Sequence, residues 1–378
     1  MRCDAHVIRE GMPRVLFNMS SQYAARHSGV ARVAFELLGH LADKGDFQYM
    51  LRSPWSAPQL PPALRALPLE IDVVERPSNL LVDVVKRALT FGSYCRQHNI
   101  DLVVNLDPFG TPTGGKARVL IAHDLYFKTL PDQLGWRAGL TNELIYRIML
   151  AGNSNIVTVS RATQADVEQW YPATKGRVTT IHSATSLRPG DTTQRAADLP
   201  NRYVLAVGNA TPNKNYRALA EAMAIIHATD PDLALVHVGD DPQEVLSTTL
   251  KRLGAPVRLL RFAGIDDASL ADLYAHASCL CVPSLSEGFC LPILEAQICR
   301  CPVVCSNRSA MPEIAGQGAI LVDPTAPAAI AEAIRSVVTS PDKAASLIQS
   351  GLDNAAAFSW EQTAMRYQEL FTRILAAR

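Results

Sequence analysis

The sequence predicts an α/β fold made of two doubly wound, Rossmann-like domains, and three observations carry that prediction. At 378 residues the chain has room for two domains of about 100 to 200 residues each. Short apolar runs alternate with helical patterns throughout, as in parallel strands covered by crossover helices. One polar stretch, Arg188–Asn201, interrupts the series near the middle and reads as a linker.

The elements follow in order. Residues 1–12 read as a disordered extension, because the first strand pattern begins only at Arg14. Val15, Leu16 and Phe17 form a buried strand, and a helix spans Gly29–Ala42 with Val33, Leu37, Leu38 and Leu41 at helical spacing. Strand-like runs recur at Leu69–Val74, Leu102–Asn105, Val119–Ala122, Ile156–Val159 and Val178–Ile181. Helical patterns at Leu80–Cys95, Gly135–Leu150 and Ala162–Trp170 separate several of them. In Trp136–Leu150, Leu140, Leu144, Tyr146 and Ile148 form an apolar stripe beside Arg137 and Arg147. That stripe suits a core-facing helix, with rest on a membrane surface as the second reading. The first domain thus covers residues 13–187.

After the linker, strands are expected at Tyr203–Val207, Leu233–Val238, Val257–Phe262, Cys279–Val282, Val303–Cys305 and Ala319–Val322. Helices are expected at Tyr216–His227, Ser269–Ala275, Pro292–Ile298 and Pro327–Thr339, which closes a second domain over residues 202–359. Two such domains create a cleft, and ligands bind beyond the carboxyl ends of the strands. The loops directly after strands are therefore where function is sought.

Composition narrows the classes. Hydrophobic residues make up 48% and charged residues 19% of the chain, which excludes a disordered protein. A net charge of zero argues against bulk nucleic-acid binding. Residues 1–190 hold 21 Lys+Arg against 16 Asp+Glu, and residues 191–378 hold 15 against 20. This asymmetry suits either chance or an anionic surface or acceptor met by the first half. The eight cysteines include no C-x-x-C pair and read as small core hydrophobes of a reduced, cytoplasmic protein. The N-terminus lacks a signal-peptide pattern, and no apolar run is long enough to span a membrane. A dehydrogenase G-x-G-x-x-G and a hydrolase G-x-S-x-G are both absent. Asp230-Pro231-Asp232 has metal-motif spacing, but it lies between a helix and a strand, where Asp and Pro form turns. No metal and no cofactor are expected.

The most informative segment runs from Ser286 to Ala296. Pro292 suits the first turn of a helix that opens near Leu291. Amides there, with the positive end of the helix dipole, make an anion site, and Gly288 allows close backbone approach. Glu287 in the loop and Glu295 in the first helical turn bracket it. Carboxylates accept hydrogen bonds from paired hydroxyls, so the arrangement suits a nucleotide sugar. On spacing alone, Glu295 is equally a first-turn acid stabilising the dipole.

This segment resembles glycosyltransferase family 4, retaining enzymes of the GT-B fold, whose E-G-F-x-L-P-x-x-E-A signature stands here as Glu287-Gly288-Phe289-Cys290-Leu291-Pro292-Ile293-Leu294-Glu295-Ala296. The similarity continues through Cys301–Val304, Met311–Gly316 and Leu321–Pro324. The resemblance implies that Glu295 binds the donor ribose, that Glu287 contacts the transferred sugar, and that the Gly288–Leu291 backbone, Phe289 and Cys290 included, meets the diphosphate and sugar. Gly208-Asn209-Ala210-Thr211-Pro212-Asn213-Lys214-Asn215 is similar to the segment whose lysine neutralises the leaving diphosphate. Asn209 and Asn213 stand where many relatives carry an additional arginine. His123-Asp124 resembles a His-Asp motif, with His123 donating to a sugar hydroxyl and Asp124 orienting the loop or facing the acceptor. Ser28-Gly29-Val30-Ala31-Arg32 resembles a segment in which Gly29 approaches phosphate or acceptor and Arg32 faces the acceptor or solvent. Ile265 belongs to a segment that edges the base. The resemblance also implies a C-terminal helix, Trp360–Leu375 within residues 360–378, crossing back onto the first domain.

By this resemblance the chain is a hexosyltransferase of polysaccharide biosynthesis, similar to bacterial mannosyltransferases. GDP-mannose is the preferred donor, with UDP- or dTDP-sugars as alternatives. The acceptor is a saccharide or lipid-linked saccharide, met at the inner face of the membrane. Two other classes stay open: a sugar-nucleotide epimerase on the same architecture, and a nucleotide-sugar-binding protein without turnover.

Overall fold

A computed structural model of the chain describes residues 11–19, 29–42, 45–75, 80–131, 135–189 and 199–377. The chain divides into two compact units, Met1–Ser183 with Ser359–Arg378, and Ala184–Phe358. The expected N-terminal extension and most of the expected linker lie outside the described residues.

The first unit holds a seven-stranded sheet. Its strands are β1 (Arg14–Asn18), β2 (Gln48–Ser53), β3 (Glu70–Val73), β4 (Leu102–Asn105), β5 (Ala117–Ala122), β6 (Asn155–Thr158) and β7 (Val178–Thr180). Their order is β3-β2-β1-β4-β5-β6-β7, with every neighbouring pair parallel. The connection direction reverses between β1 and β4, the switch point where such sheets bind ligands. Val15, Leu16 and Phe17 are fully buried, as an unbroken apolar run in a parallel strand requires. β2 is the strand that sequence reasoning did not anticipate. Its QYMLRS segment starts and ends polar, yet Tyr49, Met50 and Leu51 are buried.

The C-terminal helix Trp360–Ala376 is part of this unit. Ser359 caps it by accepting from the Gln362 amide at 3.2 Å, and it lies against the helix Gly29–Ala42. Phe371 is fully buried and meets Phe17 and Phe47 edge-on at 6.3 and 6.0 Å. Such edge contacts stabilise by about 0.5–1.5 kcal/mol each beyond area burial.

The helix Trp136–Gly152 faces the core, though not along the whole stripe that the spacing selected. Its buried side is Ile145, Tyr146, Met149 and Leu150, whereas Leu140 is 62% and Leu144 47% exposed. Of the residues the spacing selected, Tyr146 is buried and Ile148 packs against the core, while Leu140 and Leu144 lie off the inward side.

The second unit holds a six-stranded sheet of β8 (Tyr203–Val207), β9 (Ala234–Val238), β10 (Leu259–Phe262), β11 (Cys279–Val282), β12 (Val303–Ser306) and β13 (Ala319–Val322). The order is β10-β9-β8-β11-β12-β13, again all parallel. Its switch point lies between β8 and β11. The helices Tyr216–His227, Val245–Arg252 and Pro327–Val338 share one apolar cluster with residues of this sheet. The helix Leu291–Ile298 packs against the helices Asp267–His276, Met311–Ala315 and Pro341–Ala355. Gln297 fixes it there: its amide donates to the Ala315 carbonyl at 2.9 Å and its oxygen accepts from Asn354 at 2.8 Å. The seven described cysteines are free and buried, and burial raises the pKa of each thiol. They act as core hydrophobes rather than nucleophiles.

Candidate functional site

The loops that follow β8 and β11 meet at the switch point of the second unit. After β8 the backbone turns at Gly208, φ 124°, and forms a short 3-10 turn over Pro212–Lys214. Asn215 takes a left-handed φ of 55°, and its amide ties this loop to Pro283 and Pro324 at 3.1 and 2.7 Å. The Leu285 amide donates to the Asn213 carbonyl at 2.7 Å, and the Asn213 side chain donates to the Ser286 carbonyl at 3.1 Å. The Asn209 side chain accepts from the Asp240 amide at 3.0 Å. Asn209 and Asn213 therefore act as staples that hold these loops.

Lys214 lands on Glu287. Its Nζ lies 2.8 Å from Oε1, and both side chains are largely buried. Ser284 donates to the same oxygen at 2.7 Å. Burial alone pushes the Lys214 pKa down, but the Glu287 carboxylate more than offsets this, so the ammonium lies above the ordinary lysine range and stays charged. An ammonium has three donors, so Lys214 can keep Glu287 and still reach an anion. The backbone of Glu287 is held by Ser309, whose Oγ donates to its carbonyl at 2.7 Å and accepts from its amide at 3.3 Å. Sequence reasoning missed Ser284 and Ser309, because nothing in their local context distinguishes them from other loop serines.

The helix opens at Leu291, as expected, with Pro292 in its first turn. The left-handed residue at its mouth is Cys290, φ 78°, not Gly288. A non-glycine residue there costs of order 1 kcal/mol or more and is held by its surroundings. Cys290 is 5% exposed, and Phe289 is buried beside Phe358. Glu295 is the fifth helical residue and not in the first turn, which corrects the first-turn placement and removes the dipole-stabilising reading. It is 3% exposed, and Tyr274 donates to its Oε2 at 2.9 Å. Burial and then the charge of Glu295 raise the Tyr274 pKa, so the phenol stays a donor. The loop after β10 carries Gly264 and Ile265, and Asp266 ends it by capping the next helix through the Ser269 amide at 2.8 Å.

Gly239, after β9, sets the fit beneath Gly208. Its φ is 141°, and a Cβ there would lie 2.5 Å from the Gly208 carbonyl oxygen. That oxygen also accepts from the Tyr216 hydroxyl at 3.0 Å and from His237 Nε2 at 2.8 Å. Gly239→Ala is expected to lower stability by about 1–3 kcal/mol, read as a lower midpoint of thermal unfolding; an unchanged midpoint rejects this close approach.

In the first unit, His123 follows β5 and Nε2 lies 2.9 Å from the Leu106 carbonyl. A carbonyl only accepts, so Nε2 carries the proton and Nδ1 is left as an acceptor. Burial lowers the ring's pKa, which keeps it neutral. His123 is expected to donate to a sugar hydroxyl, whereas in this tautomer its remaining ring nitrogen can only accept. The Leu106 loop is fixed by Asn105, whose Oδ1 accepts from Asn18 at 2.9 Å and from the Thr111 amide at 2.8 Å. His123 and Asp124 line a cavity of about 260 Å³ with Val30, Asp107, Phe109 and Tyr126. Asp124 accepts from the Tyr126 amide at 3.3 Å, while its carbonyl accepts from the Tyr146 hydroxyl at 2.6 Å, so it shapes this loop. Gly29 opens its helix with no atom within 4 Å of an added Cβ, so packing does not demand glycine there. Arg32 is half-buried on the same helix, and Ser28 lies outside the described residues. Among the described residues, no group of three or more His, Cys, Asp and Glu side chains is placed to hold a metal ion.

Two family models divide the chain between them. Glycosyltransferase Family 4 matches residues 27–188, and Glycosyl transferases group 1 matches residues 191–353. The chain carries these two glycosyltransferase domains in tandem. Among its relatives is a D-inositol 3-phosphate glycosyltransferase of Segniliparus rotundus, 30% identical over 231 residues, covering 57% of this chain and 51% of that protein. The O-antigen chain mannosyltransferase B of Escherichia coli is 34% identical over 163 residues, 42% of each chain. The chain spans about half the length of the curated relatives it matches. Sucrose-phosphate synthase from Thermosynechococcus elongatus shares the fold at a TM-score of 0.78 and 21% identity, covering 97% of this chain and 100% of that one. The fold of the chain is therefore GT-B, two parallel-sheet Rossmann-like domains.

Proposed function

We propose that this chain transfers a hexose from a nucleoside diphosphate sugar to a saccharide or lipid-linked saccharide, with retention at the anomeric carbon. The observation that carries the reading is the buried Lys214–Glu287 pair beside the mouth of the helix Leu291–Ile298. The hard step is departure of the diphosphate, and the main task is to stabilise the charge that develops on it. Lys214 and the helix N-terminus supply positive potential on one side. Glu295 takes the ribose hydroxyls, and Glu287 takes the transferred sugar. In the first unit, Nδ1 of His123 accepts from a sugar hydroxyl, and the cavity beside it receives hydroxyl-bearing substrate.

Mannose from GDP-mannose is the finer proposal, supported by the mannosyltransferase among the relatives, with UDP- and dTDP-sugars as the other donors to screen. Transfer is proposed to need neither metal nor cofactor and to take place in the cytoplasm. A screen of GDP-, UDP- and dTDP-sugars by thermal unfolding identifies the donor, since a bound ligand raises the midpoint. Incubation with that donor and a saccharide acceptor in EDTA is expected to yield a glycosylated product. Activity lost in EDTA and restored by Mn²⁺ rejects the metal-independent step. Conversion of donor without acceptor points to an epimerase instead.

A further inference from the structure

Two neighbouring helices of the first unit turn apolar side chains outward. On the helix Trp136–Gly152, Trp136, Leu140 and Leu144 are 72%, 62% and 47% exposed. Spacing of four places them on one stripe. On the helix Leu80–Gln97, Val85 and Leu89 are 50% and 80% exposed, again four apart. The two helices contact each other. Val84 from the first and Ile145, Tyr146 and Met149 from the second enter the same core cluster, so both cover one side of the sheet and their outer surfaces face the same way.

The charges on these helices are sorted. Their described carboxylates are Asp83 and Glu143. Asp83 pairs with Arg87 at 2.5 Å. Glu143 is 18% exposed and is held by Lys128 at 2.7 Å and Arg147 at 2.6 Å. The exposed charges on these helices outside those ion pairs are all cations: Lys86, Arg96 and Arg137. Arg137 lies 5.1 Å from the Trp136 ring centroid. Exposed aliphatics, a tryptophan and a net positive rim match the boundary of an anionic bilayer. They match a second protein less well, because acidic partners of the rim would also have to be apolar between the two stripes.

We propose that this face docks the protein on an anionic lipid surface, with Trp136, Leu140, Leu144, Val85 and Leu89 entering the headgroup boundary and Lys86, Arg96 and Arg137 above it. No helix among the described residues is long and apolar enough to cross a membrane, so contact here lies in the plane of the surface. The assignment stands on the first unit alone and does not depend on which donor is used.

Flotation of the full chain with phosphatidylcholine vesicles, with and without phosphatidylglycerol, tests this. Binding is expected only to the anionic vesicles, with a blue shift in tryptophan fluorescence that Trp136→Ser removes. Lys86→Ser and Arg137→Ser should each weaken binding about fivefold, and W136S/L140S should abolish it while the circular dichroism spectrum is retained. The proposal is overturned if the parent ignores anionic vesicles at low salt, or if W136S/L140S binds them as the parent does. Sedimentation showing a dimer that these substitutions dissociate would give the face to a second copy and equally overturn the lipid assignment.

Discussion

Lys214→Ala is expected to slow sugar transfer by about 10²- to 10³-fold, the loss typical of removing one preorganised group that stabilises developing negative charge. The direction follows from the site's electrostatics. Lys214 is held charged by Glu287 at 2.8 Å, and its pKa lies above the ordinary lysine range, so it is a fixed positive charge across the physiological range. With it gone, the departing diphosphate meets Glu287 without compensation. Free protein changes too: Glu287 keeps Ser284 but loses its cation, and breaking a buried pair costs about 3–5 kcal/mol at the upper end. The rate is therefore measured below the variant's own unfolding midpoint, with the folded fraction checked by circular dichroism. A folded Lys214→Ala protein that transfers sugar at the parent rate removes Lys214 from the site.

Glu295→Ala is expected to weaken nucleotide binding by about 10- to 100-fold in calorimetric titration, the equivalent of hydrogen bonds to a charged acceptor. Glu295 is 3% exposed, and a polar group this buried needs hydrogen-bond partners. Tyr274 supplies one; ribose hydroxyls are proposed to supply others. Tyr274→Phe provides the contrast, because it removes one donor and leaves the carboxylate in place. A smaller loss of affinity is expected for it than for Glu295→Ala. Equal affinity in Glu295→Ala and parent would return Glu295 to a purely internal role.

Much of this arrangement was legible before any coordinates. The strand and helix alternation located twelve of the thirteen strands among the described residues, because apolar runs in parallel sheets are buried on both sides and do not hide in a half-polar pattern. β2 escaped because Gln48 and Arg52 break its run. The helix mouth at Leu291 was visible through Pro292. The Lys214–Glu287 contact was not, since the two residues are 73 positions apart and meet only because β8 and β11 are neighbours in the sheet. Ser309 and Tyr274 are equally non-local. Spacing also misplaced part of the inward side of the helix Trp136–Gly152, because either stripe of an amphipathic helix with this much leucine satisfies the periodicity. The tautomer of His123 depends on the Leu106 carbonyl, which no motif encodes.

The return of Trp360–Ala376 to the first unit has a consequence for synthesis. Phe371 closes an aromatic cluster begun by Phe17 and Phe47, some 324 positions earlier in the Phe47 case. During translation the first unit must wait, its aromatic seam open, until the entire second sheet has left the ribosome. Chaperone demand should accordingly be greatest for nascent chains stalled just short of that last helix.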